Sequence, residues 1–217
     1  MRVSNMTLHK LLFIILSISA FNSAFAANVI KELPLACQTD CKSPYGKMLG
    51  KSPRGIEAYS NCQSGCVIFE PNKWNGTYTG IKWQCVEYAR RWLLVNTGAV
   101  YGDVDIAADI WDKIDHLTYV KTKRPIPLET HLNGSTQAPE IGDLLIYAKA
   151  FSGTGHVAVV TGIDITKGLV EVSEQNYQNE SWAADYARKI TLIKNGGNYW
   201  LLDGYLLGWK HAIMESQ

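Results

Sequence analysis

Five cysteines in two unlike settings constrain this chain more than any other feature. Cys37, Cys41, Cys62 and Cys66 form two C-x-x-x-C pairs in a stretch rich in Gly, Pro and Ser, whereas Cys85 stands alone at the start of an amphipathic run. In an oxidising compartment the first four are expected to bond as disulfides, in one of three connectivities that spacing does not separate. The same four could hold a structural zinc, but their spacing departs from the usual C-x-x-C and export favours oxidation, so no metal is expected. The odd count leaves Cys85 as a free thiol.

The compartment is read from the first 26 residues. Arg2 and Lys10 precede an apolar run from Leu11 to Ala20, and Ala24-Phe25-Ala26 supplies small residues where a signal peptidase reads them. Residues 1–26 are therefore expected to be a secretory leader, because the run is short for a membrane span of roughly 20 residues. The mature chain would begin at Ala27 and act in the periplasm or outside the cell, with no membrane contact after leader cleavage. With 21 basic and 20 acidic side chains the net charge is +1, so no global field draws the protein to nucleic acid. Recognition must sit in a local site.

Along the 217 residues the composition shifts once after the leader. Residues 27–78 have little periodicity and read as loops pinned by disulfides that wrap one side of a core formed by residues 79–217, the two together making one domain. From Trp83 to Val95 apolar positions recur at helical spacing, and Asn96-Thr97-Gly98 supplies a stop. A second helix is expected near Val104 to Ile114. After a Pro-containing connection from Pro125 to Pro139 come short β runs at Asp143–Ala148, His156–Ile163, Leu169–Ser173, Ala187–Ile193 and Leu201–Trp209. Helices first and an antiparallel sheet afterwards is an α+β order.

The chemistry converges on Cys85. A cysteine nucleophile works as its thiolate, and the first turn of a helix favours negative charge through its unpaired N–H groups and dipole. It also needs a base, and His156 opens an apolar strand after Ser152-Gly153-Thr154-Gly155, a glycine turn expected to leave one ring edge uncovered. A third group must orient the imidazole, and the next strand ends in Glu174-Gln175-Asn176. Taken singly, each residue has an ordinary structural reading: a small buried hydrophobe, a strand-edge histidine, polar residues solvating a turn. The combination in that chain order follows papain-like logic, with a nucleophile helix packed on an antiparallel sheet.

The segments from Gly80 to Leu93, from Gly153 to Val160 and Glu174-Gln175-Asn176 together resemble the CHAP amidase family, and within it the amidase domains of the glutathionylspermidine synthetase/amidase type. The likeness runs from about Tyr45 to Trp209. It implies Cys85 as nucleophile, His156 as base, Glu174 as orienting acid and Asn176 as a site-lining amide. Gln84 is suited to help the Cys85 N–H hold an oxyanion, and Arg90 to meet a substrate carboxylate. The implied activity is amide hydrolysis through a thioester, with no cofactor. No counterpart of a synthetase half accompanies it, so ATP and magnesium are not expected. The leader and extra cysteines direct the substrate toward cell-wall peptides. A glutathione-polyamine amide and a non-catalytic wall-binding role are the alternatives. Neither a protein inhibitor nor an immunity partner is specified by the sequence.

Overall fold

The computed structural model describes residues 32–214; the leader expected at residues 1–26 lies outside them. The described residues open with a 3-10 turn, Leu35–Cys37, and two small hairpins. β1 (Met48–Lys51) pairs with β2 (Glu57–Tyr59), and β3 (Pro71–Trp74) with β4 (Thr77–Ile81). The segment expected to be loops alone thus carries two hairpins. Its strands are only 3–5 residues long with mixed polar sequences, too brief for alternation to show. The disulfides are nested, Cys37 to Cys66 and Cys41 to Cys62, which resolves the connectivity.

Helix α1 (Cys85–Thr97) follows and ends where the sequence stops it, at Gly98 with φ 75°, a left-handed value glycine adopts without steric cost. β5 (Ala99–Tyr101) leads to α2 (Asp109–Lys113), which is much shorter than the helix expected over 104–114. β6 (His116–Tyr119) and β7 (Pro125–Leu132) come next. β7 occupies ground expected to be a connection. Its prolines are tolerated because Pro125 and Pro127 pair only with β6, while the neighbour on the other side engages from Leu128 onward.

The remaining strands are β8 (Leu144–Tyr147), β9 (His156–Asp164), β10 (Leu169–Ser173), β11 (Arg188–Asn195), β12 (Asn198–Leu201) and β13 (Leu206–Ala212). The run expected as one strand over Leu201–Trp209 is broken by a turn through Asp203, Gly204 and Tyr205, the last at φ 65°. Among the described residues nine strands form one sheet in the order β12-β11-β10-β9-β8-β13-β7-β6-β5, every pairing antiparallel. β13, the last described strand, inserts between β8 and β7 and joins two meanders into a single sheet.

The central strands are buried on both faces. Leu144, Ile146, Val157 and Val159 pack with Tyr88, Ala89, Trp92 and Leu93 of α1, while Leu145, Ala158 and Val160 pack with Val170, Val172, Ile190 and Trp209. Each such large side chain stabilises by roughly 1.5–3 kcal/mol. Among the described residues the result is an α+β fold, rich in strand, with one long helix against the middle of the sheet.

Candidate active site

Cys85 is the first residue of α1, and His156 is the first residue of β9. The two side chains meet and hydrogen-bond. The backbone N–H groups of Val157 and Val86 also point at the sulfur. Both residues are buried, His156 to 1 % exposure. The ring edge expected to be uncovered is enclosed instead, because Tyr147, Phe151 and Tyr177 pack around it at centroid distances of 5.5, 5.9 and 5.3 Å. The glycine turn has another function. Gly155 lies at φ 72°, and a Cβ there would sit 2.5 Å from the Tyr147 carbonyl and 2.9 Å from Ala108. Only glycine lets the chain enter β9 at that point.

Glu174 lies just past β10 and accepts from His156 Nε2 at 2.8 Å. With Nε2 committed to the carboxylate, Nδ1 is the ring nitrogen left for Cys85. Behind Glu174 stands Arg188, the first residue of β11, whose Nε donates to Glu174 Oε1 at 2.7 Å. Arg188 also donates to Asp203 at 2.5 Å and to the Tyr147 hydroxyl at 2.8 Å, and its guanidinium lies 4.2 Å from the Tyr177 ring centre. The line therefore runs Cys85, His156, Glu174, Arg188, with charges alternating once the thiol proton has moved to the imidazole.

The electrostatics follow that alternation. Burial alone would push the Cys85 thiol up, but the His156 charge and hydrogen bond, aided by the two N–H groups, outweigh it and hold the thiol below its ordinary value. Burial alone would push His156 down, yet the Cys85 charge and hydrogen bond, then Glu174, raise it to about 9. Glu174 is held below the usual carboxylate range because the Arg188 charge, and then His156, overcome its desolvation. A buried pair with these opposite displacements favours thiolate and imidazolium together.

A second network flanks the helix start. Asn176 Nδ2 donates to Gln84 Oε1 at 2.6 Å, and Gln84 Nε2 donates to the Cys66 carbonyl at 3.2 Å. Gln175 accepts from the Tyr59 N–H at 2.8 Å and donates to Glu87 at 3.1 Å, so it braces α1 against the loop. A cavity of about 160 Å³ runs beside this loop, lined by Leu49, Glu174, Asn176, Tyr177 and Trp182 among others. Arg90, read as a candidate carboxylate partner, is placed elsewhere. It is buried, paired with Asp103 at 2.7 Å and set over the rings of Tyr78 and Tyr101.

Residues 75–176 match the CHAP domain family. The chain thus carries a CHAP-domain match over just under half of its length. It is 34% identical to the bifunctional glutathionylspermidine synthetase/amidase of Escherichia coli (strain K12) over 82% of its own length and 31% of that protein. It is 32% identical to trypanothione synthetase of Crithidia fasciculata, over 80% of the chain and 26% of that protein. The chain thus spans about a third or less of the length of these curated relatives. The matched residues include the CHAP helix with Cys85, the β9 start with His156, and Glu174 to Asn176.

Sequence reasoning missed Arg188, Tyr147 and Asp203 of this site. Only Arg188 left a signal: it opens the strand paired with β10, opposite Val172, which sets it beside Glu174.

Proposed function

We propose that the protein is an exported cysteine amidohydrolase that cleaves amide bonds of peptidoglycan peptides through a thioester acyl-enzyme, on a papain-like arrangement of nucleophile helix and sheet. The observation that carries this reading is the unbroken buried line from Cys85 through His156 and Glu174 to Arg188. A cysteine kept only for packing has no need of a histidine held protonated beside it.

In the proposed reaction the Cys85 sulfur attacks the amide carbonyl carbon and the oxyanion forms beside the Cys85 N–H, in the first turn where N–H groups have no helical acceptor. The imidazolium of His156 gives its Nδ1 proton to the departing amine as the C–N bond breaks, leaving the acyl group on sulfur. Neutral His156 then takes a proton from water as it attacks the thioester, releasing the carboxylic acid and restoring the thiolate and imidazolium. Glu174 keeps the ring oriented throughout, and Arg188 keeps Glu174 ionised. Cys85, His156, Glu174 and Asn176 carry the site, with Gln84 as a second oxyanion donor; Arg90 is structural, held by Asp103.

Export rests on the leader at residues 1–26, and two disulfides are compatible with it. The cell wall is then the amide-rich polymer within reach. The likeness to glutathionylspermidine synthetase/amidase favours a second reading, hydrolysis of a glutathione-polyamine amide. Incubating the purified protein with sacculi and, separately, with glutathionylspermidine, followed by mass analysis of products, separates them. Release of stem-peptide fragments supports the first reading. Turnover of the polyamine conjugate alone replaces it with the second, and wall binding without product from either leaves a non-catalytic module.

A further inference from the structure

The disulfide-bonded segment reaches the site through a closed ring of carboxamides. Gln84 Oε1 accepts from Asn176 Nδ2 at 2.6 Å. Asn176 Oδ1 in turn accepts from Asn61 Nδ2 at 2.8 Å. Both ends of this chain converge on one acceptor, because Gln84 Nε2 and Asn61 Nδ2 each lie 3.2 Å from the Cys66 carbonyl.

Such a ring permits one orientation of each amide. Asn61 Nδ2 also faces the Gln63 carbonyl at 3.0 Å, so flipping Asn61 would set its own oxygen against three others. With Asn61 fixed, Asn176 must present Nδ2 to Gln84, and Gln84 must present Oε1 to Asn176. The Gln84 amide cannot turn over, and of its two Nε2 hydrogens one is given to the Cys66 carbonyl while the other has no acceptor among the described residues. Asn61 is fully buried, and its N–H donates to Asn179 Oδ1 at 3.2 Å. The backbone is held in the left-handed region at Cys62, Asn176 and Asn179, with φ 77°, 53° and 56°, and such conformations persist where surrounding bonds over-determine them. Each disulfide anchors one end of the Cys62–Cys66 loop.

We propose that Asn61, together with the Cys66 carbonyl, is a positioning element that aims the Gln84 N–H at the oxyanion of the acyl-transfer step, so that the disulfide-bonded loop controls transition-state stabilisation without touching the thiolate. This rests on the amidohydrolase reading above. A residue acting through Gln84 has no effect once Gln84 is gone, whereas one that merely stabilises the fold has the same effect in either background.

The test is Asn61→Ala in the full chain, alone and combined with Gln84→Ala, with Asn61→Ser as the second variant should the alanine protein not fold. Three quantities are read: kcat on a peptidoglycan stem peptide, the rate of Cys85 alkylation by iodoacetamide, and the order parameter of the Gln84 side-chain amide from ¹⁵N relaxation. Gln84→Ala is expected to lower kcat about 100-fold and Asn61→Ala about tenfold, the double variant matching Gln84→Ala. Alkylation stays within about twofold, and in Asn61→Ala the Gln84 order parameter falls from a rigid value near about 0.85 to below about 0.6. A Gln84 amide that stays rigid without Asn61, or an Asn61 loss that persists undiminished without Gln84, overturns the proposal. If the wild-type chain hydrolyses no amide offered, the amidohydrolase reading falls, and the order parameter still decides whether Asn61 orients Gln84.

Discussion

Two networks meet at Cys85, and they are built from opposite materials. On the sheet side, His156, Glu174, Arg188 and Asp203 form a chain of charges carried by strand starts and the turns beside them. On the loop side, Gln84, Asn176 and Asn61 form a chain of neutral carboxamides tied to a disulfide-bonded loop. The difference teaches a division of labour. Charge sets which protonation state the sulfur and imidazole hold, whereas oriented dipoles offer a donor of fixed direction without moving that equilibrium. Damage to the first should change how reactivity depends on pH, and damage to the second should change the rate alone.

The largest effect belongs to the atom both networks serve. Cys85→Ala is expected to abolish hydrolysis while the protein keeps its thermal unfolding transition, measured side by side; any residual turnover above background would break the scheme at its centre. Next comes Glu174→Gln, expected to lower kcat about 100-fold. The sign of its pH effect is fixed by His156, which is raised to about 9 in part by Glu174. Without that carboxylate the imidazolium is lost at lower pH, so the alkaline limb of the kcat/KM profile moves downward, and a profile that keeps its limb would show that Glu174 acts by shape rather than charge.

Arg188→Met tests the next link. It leaves Glu174 buried beside His156 alone, so the carboxylate should titrate higher, kcat should fall about tenfold, and denaturant unfolding should show a loss of about 3–5 kcal/mol. The smallest effect is expected at Asp103→Asn, outside both networks. Asp103 is largely exposed, and it pairs with Arg90 at 2.7 Å. KM for any charged substrate should change by less than about twofold. A large rise in KM would restore Arg90 to the substrate.

How far the sequence revealed this arrangement depended on burial. β8, β9 and β10 were legible because two-sided burial makes Leu144–Tyr147 and His156–Val160 nearly continuous apolar runs bounded by turn residues. β5, β6 and β7 were not, since His116, Thr118, Glu129 and His131 interrupt the pattern and Pro125 and Pro127 argue against a strand. Glu87, Arg90 and Arg91 look like a solvated helix face, yet all three are buried, Glu87 and Arg91 paired at 2.7 Å, with Asn72 and Thr79 of the β3–β4 hairpin bonded to Glu87. Nothing in helical periodicity tells of a hairpin laid over that face. Cys85, His156, Glu174 and Asn176 stood out through their chain order and their glycine and strand contexts. Tyr147 and Asp203 did not, because hydrogen bonds that cross from strand to turn leave no spacing in the chain.

The proposed chemistry depends on the state of the Cys85 sulfur. The most direct measurement is the rate of Cys85 alkylation by iodoacetamide from about pH 4 to about pH 9, in the wild-type chain and in His156→Ala, with mass mapping to show that the other four cysteines stay disulfide-bonded. The predicted result is reactivity that persists well below the free-thiol value of about 8.5 and is lost from that range when His156 is removed. Reactivity that rises only near about 8.5, and does so equally in both proteins, would contradict the thiolate–imidazolium pair and with it the proposed hydrolase.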